Sequence, residues 1–122
     1  MHERHTFRKH EHIKSSAQFR RLYDQGRRAA GRMFVLYALE EAGTGPNGRA
    51  LGTVTSRKIG NAVIRNRARR LLREAYRLNK QKLKPNLQIV MIARNAINQA
   101  SLQAVEAEFC RLGGVAGILQ ES

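Results

Sequence analysis

Arg65, Asn66, Arg67, Arg69, Arg70 and Arg73 stand within nine residues of one another, and their chemistry is the recognition of phosphate rather than the breaking of bonds. A planar guanidinium donates two parallel hydrogen bonds to a phosphate and can stack on a base, while an asparagine carboxamide reaches sugar and base edges. Between Ser56 and Lys80 there are nine basic residues and a single acid, Glu74. So little internal neutralisation calls for a polyanion; a merely solvated charged face is the plain alternative. A catalytic set is harder to assemble, because the nine acids form no plausible metal-binding pair and neither a nucleophile motif nor a Walker loop occurs. His2, His5, His10 and His12 match no common zinc spacing, and in acid they add positive charge. Chemistry, if any, is expected from something other than this chain, with no cofactor bound by the protein alone.

The basic residues need an element to order them. At about 100° per residue, Arg65, Asn66, Arg69, Arg70, Arg73 and Arg77 share one side of a helix, while Ile64, Ala68, Leu71, Ala75 and Leu78 share the other and Arg67 lies at the boundary. Gly60-Asn61 breaks the chain before this helix, which is expected to end near Lys80. Ser15 or Ser16 caps an earlier helix, 17–25, which Gly26 is expected to close in the left-handed conformation. Its apolar side carries Phe19, Leu22 and Tyr23. Residues 32–40 alternate, Phe34, Leu36 and Ala38 on one face and Val35, Tyr37 and Leu39 on the other, predicting a strand with two useful surfaces. After the turn at Gly43-Thr-Gly-Pro-Asn-Gly48, residues 50–56 predict a second strand, paired with the first as an antiparallel hairpin. Leu87 to Ala93 is a continuous aliphatic run suited to a central strand. Ser101 caps a last helix with Leu102, Val105, Phe109 and Leu112 in its buried stripe. Residues 1–14 predict a flexible basic arm and 113–122 a frayed tail, around one polyanion-binding domain spanning 1–122.

Phe19, Tyr23, Val35 and Tyr37 could together make an aromatic and aliphatic platform for a single strand of nucleic acid. Spacing alone favours ordinary core packing for them, with Tyr37 the best candidate for exposure. A net charge of +14 makes the free chain self-repelling, and an anionic partner should stabilise it. An anionic membrane is the rival to nucleic acid, but the longest apolar run, residues 33–39, is far too short to span a bilayer. One cysteine, Cys110, permits no internal disulfide and reads as a buried thiol, so a reducing, cytoplasmic setting is expected.

The run from Ser56 to Glu74, with its Arg65-Asn66-Arg67 core, paired Arg69-Arg70 and final Arg73-Glu74, resembles the signature of the bacterial ribonuclease P protein subunit. The resemblance extends to the basic N-terminal segment, Ser16-Ala-Gln-Phe-Arg-Arg-Leu-Tyr23, Arg32-Met-Phe-Val-Leu-Tyr37 and Ile92-Ala93-Arg94. It implies an α+β sandwich of three helices on one small, mixed, mainly antiparallel sheet, with a left-handed β-α-β crossover. It also implies an endoribonuclease, a hydrolase and ribonucleoprotein, in which the RNA subunit cuts the 5′ leader from precursor tRNA with magnesium ions that it holds. By the same resemblance Arg57, Lys58, Asn61, Arg65, Asn66, Arg67, Arg69, Arg70 and Arg73 contact RNA, chiefly the ribozyme. Phe19, Tyr23, Val35 and Tyr37 grip the leader strand, and the chain is expected to be a monomer without RNA.

Overall fold

The computed structural model describes residues 11–120, so the arm before Glu11 and its three histidines lie outside the described residues. Helix α1 (Ser16–Gln25) is followed by strands β1 (Arg27–Ala30), β2 (Phe34–Leu39) and β3 (Arg49–Val54), helix α2 (Ala62–Asn79), strand β4 (Leu87–Ala93) and helix α3 (Leu102–Ala116). The strands form one sheet in the order β1-β2-β4-β3, with β1–β2 and β2–β4 antiparallel and β3–β4 parallel. This is the expected mixed, mainly antiparallel sheet carrying three helices.

The sheet is sorted by its period-two alternation. Phe34, Leu36 and Ala38 of β2 and Leu87, Ile89, Met91 and Ala93 of β4 enter one core with Ala68, Leu72, Ala75 and Tyr76 of α2 and Val105, Phe109 and Leu112 of α3. Val35 and Val90 are buried on the opposite face, where α1 packs on β2 and β4 through Leu22. Each helix starts where a side chain satisfies a first-turn amide: Ser15 Oγ accepts from Gln18 N, Asn61 Oδ1 from Ile64 N and Ser101 Oγ from Ala104 N.

The expected β2–β3 hairpin does not form. The aliphatic strand β4, buried at six of its seven positions, takes the place beside β2, and β3 joins its far side through the α2 crossover. A further strand, β1, whose place the sequence did not mark, covers the other edge of β2; its pattern of two arginines and two alanines carries no apolar alternation to announce it. Gly26 is extended, with φ of −75°, rather than left-handed; a side chain there would meet the Leu22 carbonyl at 2.5 Å, so the position requires space.

Both expected ends are better held than composition suggested. In the arm, His12 bridges Leu51, Ile13 N donates to Leu51 O at 2.9 Å, and Glu11 is buried against Lys80, whose Nζ lies 3.1 Å from its carboxylate. In the tail, α3 runs to Ala116, Gly117 closes it at φ of 71°, Ile118 is buried and Leu119 bridges Leu83. Residues 113–120 thus lie folded back on the domain through an apolar pair past the helix end.

Candidate nucleic-acid interface

The basic helix sits in the fold rotated from its expected setting. Its buried face is Ala68, Leu72, Ala75, Tyr76 and Asn79, whereas Leu71 and Leu78 are half-buried and Ile64 is exposed. Two polar groups make the shift possible: Tyr76 OH donates to Glu11 Oε2 at 3.4 Å, and Asn79 Nδ2 donates to Ala75 O and Glu106 Oε1. Consequently Asn66, Arg67 and Arg70 face outward, while Arg65, Arg69 and Arg73 lie half-buried on the flank.

The cations differ in what they already hold. Among the described residues, the side chains of Arg57, Lys58, Arg65 and Arg70 have no hydrogen bond or ion pair, and Arg65 Nε is buried without a partner. Arg69 is braced rather than neutralised, donating to Asn66 Oδ1 and Thr55 Oγ1, both at 2.8 Å. Arg77 is paired with Glu74. Asn66, Arg69, Arg70, Arg73, Glu74 and Arg77 line a concavity of about 460 Å³. Burial, then the charge of Arg69, pushes the Arg73 guanidinium below its ordinary value. His12 is likewise lowered, by burial and then by Arg73 and Lys14, against the opposing pull of Glu11. Like charges crowded this way are relieved by an incoming anion.

The acids that might have met them are engaged elsewhere. Glu108 accepts from the N–H groups of Arg32, Met33 and Phe34 at 2.8 to 3.2 Å, holding the β1–β2 turn. Glu40 pairs with Arg27 and Lys84, and Glu41 with Arg21.

A second surface lies across the sheet. Tyr23 and Tyr37 meet edge to face with ring centroids 5.1 Å apart, and Phe19 follows at 6.4 Å from Tyr23. Phe19 lies against Gly52, where a β-carbon would stand 2.6 Å from its Cζ, so the strand yields its side chain to the ring. Val35, on the same face of β2 as Tyr37, is buried and does not line the hollow formed by α1 and Val54; Tyr37 is half-buried and Tyr23 is 39% exposed. Burial, then Tyr37, raises the Tyr23 phenol, which stays neutral and able to stack. Ser16, Phe19, Arg20, Tyr23 and Val54 line an open hollow of about 370 Å³, wide enough for a flat ring beside a cation. The two surfaces meet at the end of β3, where Val54 borders the hollow and the next residue, Thr55, accepts from Arg69. Successive positions of an extended chain point to opposite sides, which is how one strand end serves both.

The family model for ribonuclease P matches residues 7–116. The chain belongs to the ribonuclease P protein family. The ribonuclease P protein component of Alkaliphilus oremlandii is 35% identical over 100 residues, covering 82% of this chain and 85% of that protein. The solved ribonuclease P protein of Staphylococcus aureus superposes with a TM-score of 0.74 at 27% identity, covering 96% of this chain and 97% of the other. That of Thermotoga maritima gives 0.72 at 25% identity, covering 84% and 94%.

Within this family member the expected contact residues divide by position. Arg57 and Lys58 project from a short helical turn, Arg57–Ile59, just ahead of α2, and Asn61 is occupied as the helix cap. Arg67 holds its own fold: Nη2 donates to Ala100 O at 2.8 Å and Nη1 to Ile97 O and Asn98 O at 3.4 Å. Its position at the edge of the apolar side was the only sequence signal of that role. Arg20 was missed in the hollow; it lies on α1 one residue after Phe19. Cys110 is half-buried, its Sγ 3.6 Å from Asn79 Oδ1, rather than sealed in the core. Among the described residues no group of three His, Cys, Asp or Glu side chains converges, and no helix is long and apolar enough to cross a membrane.

Proposed function

We propose that the chain is the protein subunit of ribonuclease P, binding the catalytic RNA with its arginine face and the 5′ leader of precursor tRNA in the α1 cleft. The supporting observation is the meeting, at the end of β3, of an aromatic hollow and a face on which Arg65 and Arg70 have no hydrogen bond or ion pair among the described residues. The arginine face supplies affinity for phosphate that is indifferent to sequence. The hollow suits an extended strand whose bases are open to stacking, which a duplex is not. On this reading the RNA subunit cuts the leader with magnesium ions that it holds itself, and the protein positions the immature substrate. The work is done in the cytoplasm by a protein that is monomeric until it meets RNA.

Tyr37→Ala removes one wall of the edge-to-face pair and with it a stacking partner. Loss of one stack is worth about 1–3 kcal/mol, so affinity for leader-bearing precursor should fall roughly 5- to 150-fold. Binding of mature tRNA, measured with the same reconstituted RNA and protein, should change less than about twofold, since it has no strand to stack. Equal losses for both substrates would contradict the cleft assignment.

A further inference from the structure

The outward line of α2 includes an apolar side chain that the fold does not use. Val63 is 77% exposed and Ile64 beside it 38% exposed, both in the first turn of the helix. At about 100° per residue Val63 lies on the same line as Arg70, with Asn66 and Arg67 to either side. Ile64 rests on the backbone of Gly60, where a β-carbon would stand 2.8 Å from Ile64 Cγ2 and where φ is 152°. The turn is thus shaped to carry Ile64 at the surface. Single exposed aliphatic residues are ordinary, and Val115 on α3, 68% exposed, is one. Val63 and Ile64 differ in being adjacent and in standing among Arg57, Lys58, Arg65 and Arg70, which have no partner among the described residues. Two consecutive β-branched residues also weaken a helix start that polar residues would favour, and at Val63 little burial in this chain offsets that loss.

Resting on the function proposed above, we infer that Val63 and Ile64 form a contact for an unpaired nucleobase of the ribonuclease P RNA, set between the phosphate-binding arginines. The surrounding positive charge selects the occupant. A second copy of this chain, at +14, would be repelled from the same face, whereas RNA brings phosphates to the arginines. Within RNA the apolar surface is the flat face of the base, and paired, stacked bases conceal it. The contact therefore falls on a bulged or looped nucleotide splayed out of its helix. The arginines then supply affinity and the aliphatic pair supplies register, favouring one location on the RNA over phosphates in general.

Val63→Gln tests this with little risk to the fold, since glutamine is the better helix former and the site is exposed. With the full chain and a ribonuclease P RNA, affinity should fall about tenfold at moderate salt. The slope of log affinity against log salt should stay unchanged, because no phosphate contact is lost. Chemical probing of the bases should reveal at least one unpaired nucleotide that the wild-type protein shields and the variant leaves reactive. Unaltered affinity and an unaltered probing pattern in Val63→Gln would overturn the contact while leaving the function in place. Failure of the wild-type chain to bind the RNA would overturn both. Self-association of the free wild-type chain that Val63→Gln abolishes would assign the pair to a second copy instead and also refute the inference.

Discussion

Reversing two charges, in Arg65→Glu/Arg70→Glu, should weaken binding to ribonuclease P RNA by about 10²- to 10³-fold at near-physiological salt and reduce the salt slope by about two units or more. Both side chains lack partners among the described residues, so the protein loses none of its own hydrogen bonds in the exchange. Each neutralised phosphate contributes about 0.7–0.9 to the slope, and a carboxylate in its place adds repulsion. The thermal midpoint of the free protein should hold or rise, because relieving like charge on this face favours the compact state. Arg67→Gln should behave in the opposite way. Its guanidinium serves the carbonyls of Ile97, Asn98 and Ala100, so its loss should lower stability by about 1–3 kcal/mol and change the salt slope by less than about one unit. Salt titrations paired with denaturation of the same variants separate the two roles. A slope unchanged by the double reversal would refute the assignment of the face.

The second large effect is expected at the other end of the helix. Glu11 and Lys80 form an ion pair with side chains 1% and 6% exposed, and Tyr76 OH donates to the same carboxylate. Removing one partner of such a pair leaves an uncompensated buried charge, which typically costs 3–5 kcal/mol. Glu11→Ala should therefore remove roughly that amount from a domain whose whole stability is on the order of 5–15 kcal/mol. The denaturation midpoint should fall steeply. Glu11→Leu/Lys80→Met should recover most of the loss, since an apolar replacement of both members leaves no charge in the site. A loss below about 1 kcal/mol in Glu11→Ala would show that the pair is not sealed from water. The pair bears on function through position. It ties the segment entering α1 to the residue that caps the end of α2, so the cleft helix and the arginine helix share one anchor.

Those two results also mark what could be read from the chain beforehand. Asn61 before α2, Ser101 before α3 and the unbroken aliphatic run of β4 are local signals, because capping and burial on both faces depend on neighbouring residues. The arginine cluster was legible for the same reason. The setting of α2 was not, and the buried stripe lies about 60° from the one the aliphatic spacing suggested. Tyr76 and Asn79 could turn inward only because Glu11 and Glu106, distant in sequence, supply their polar partners. Arg67 followed the same logic: its receiving carbonyls belong to the turn after β4, some thirty residues away. Likewise the partner of β2 was decided by competition between β3 and β4, which no single segment records. Long-range polar pairing and strand choice are what the local pattern omits; they moved individual arginines between contact and scaffold without changing the charge of the face.

The most direct test of the whole account is reconstitution of cleavage. The purified chain is added to a ribonuclease P RNA and a precursor tRNA at a magnesium concentration too low for the RNA to act efficiently alone. If this protein screens phosphates and holds the leader, it should strongly stimulate release of the 5′ leader, with Arg65→Glu/Arg70→Glu losing most of that stimulation. Stimulation that is absent, or that persists undiminished in the double reversal, would contradict the account.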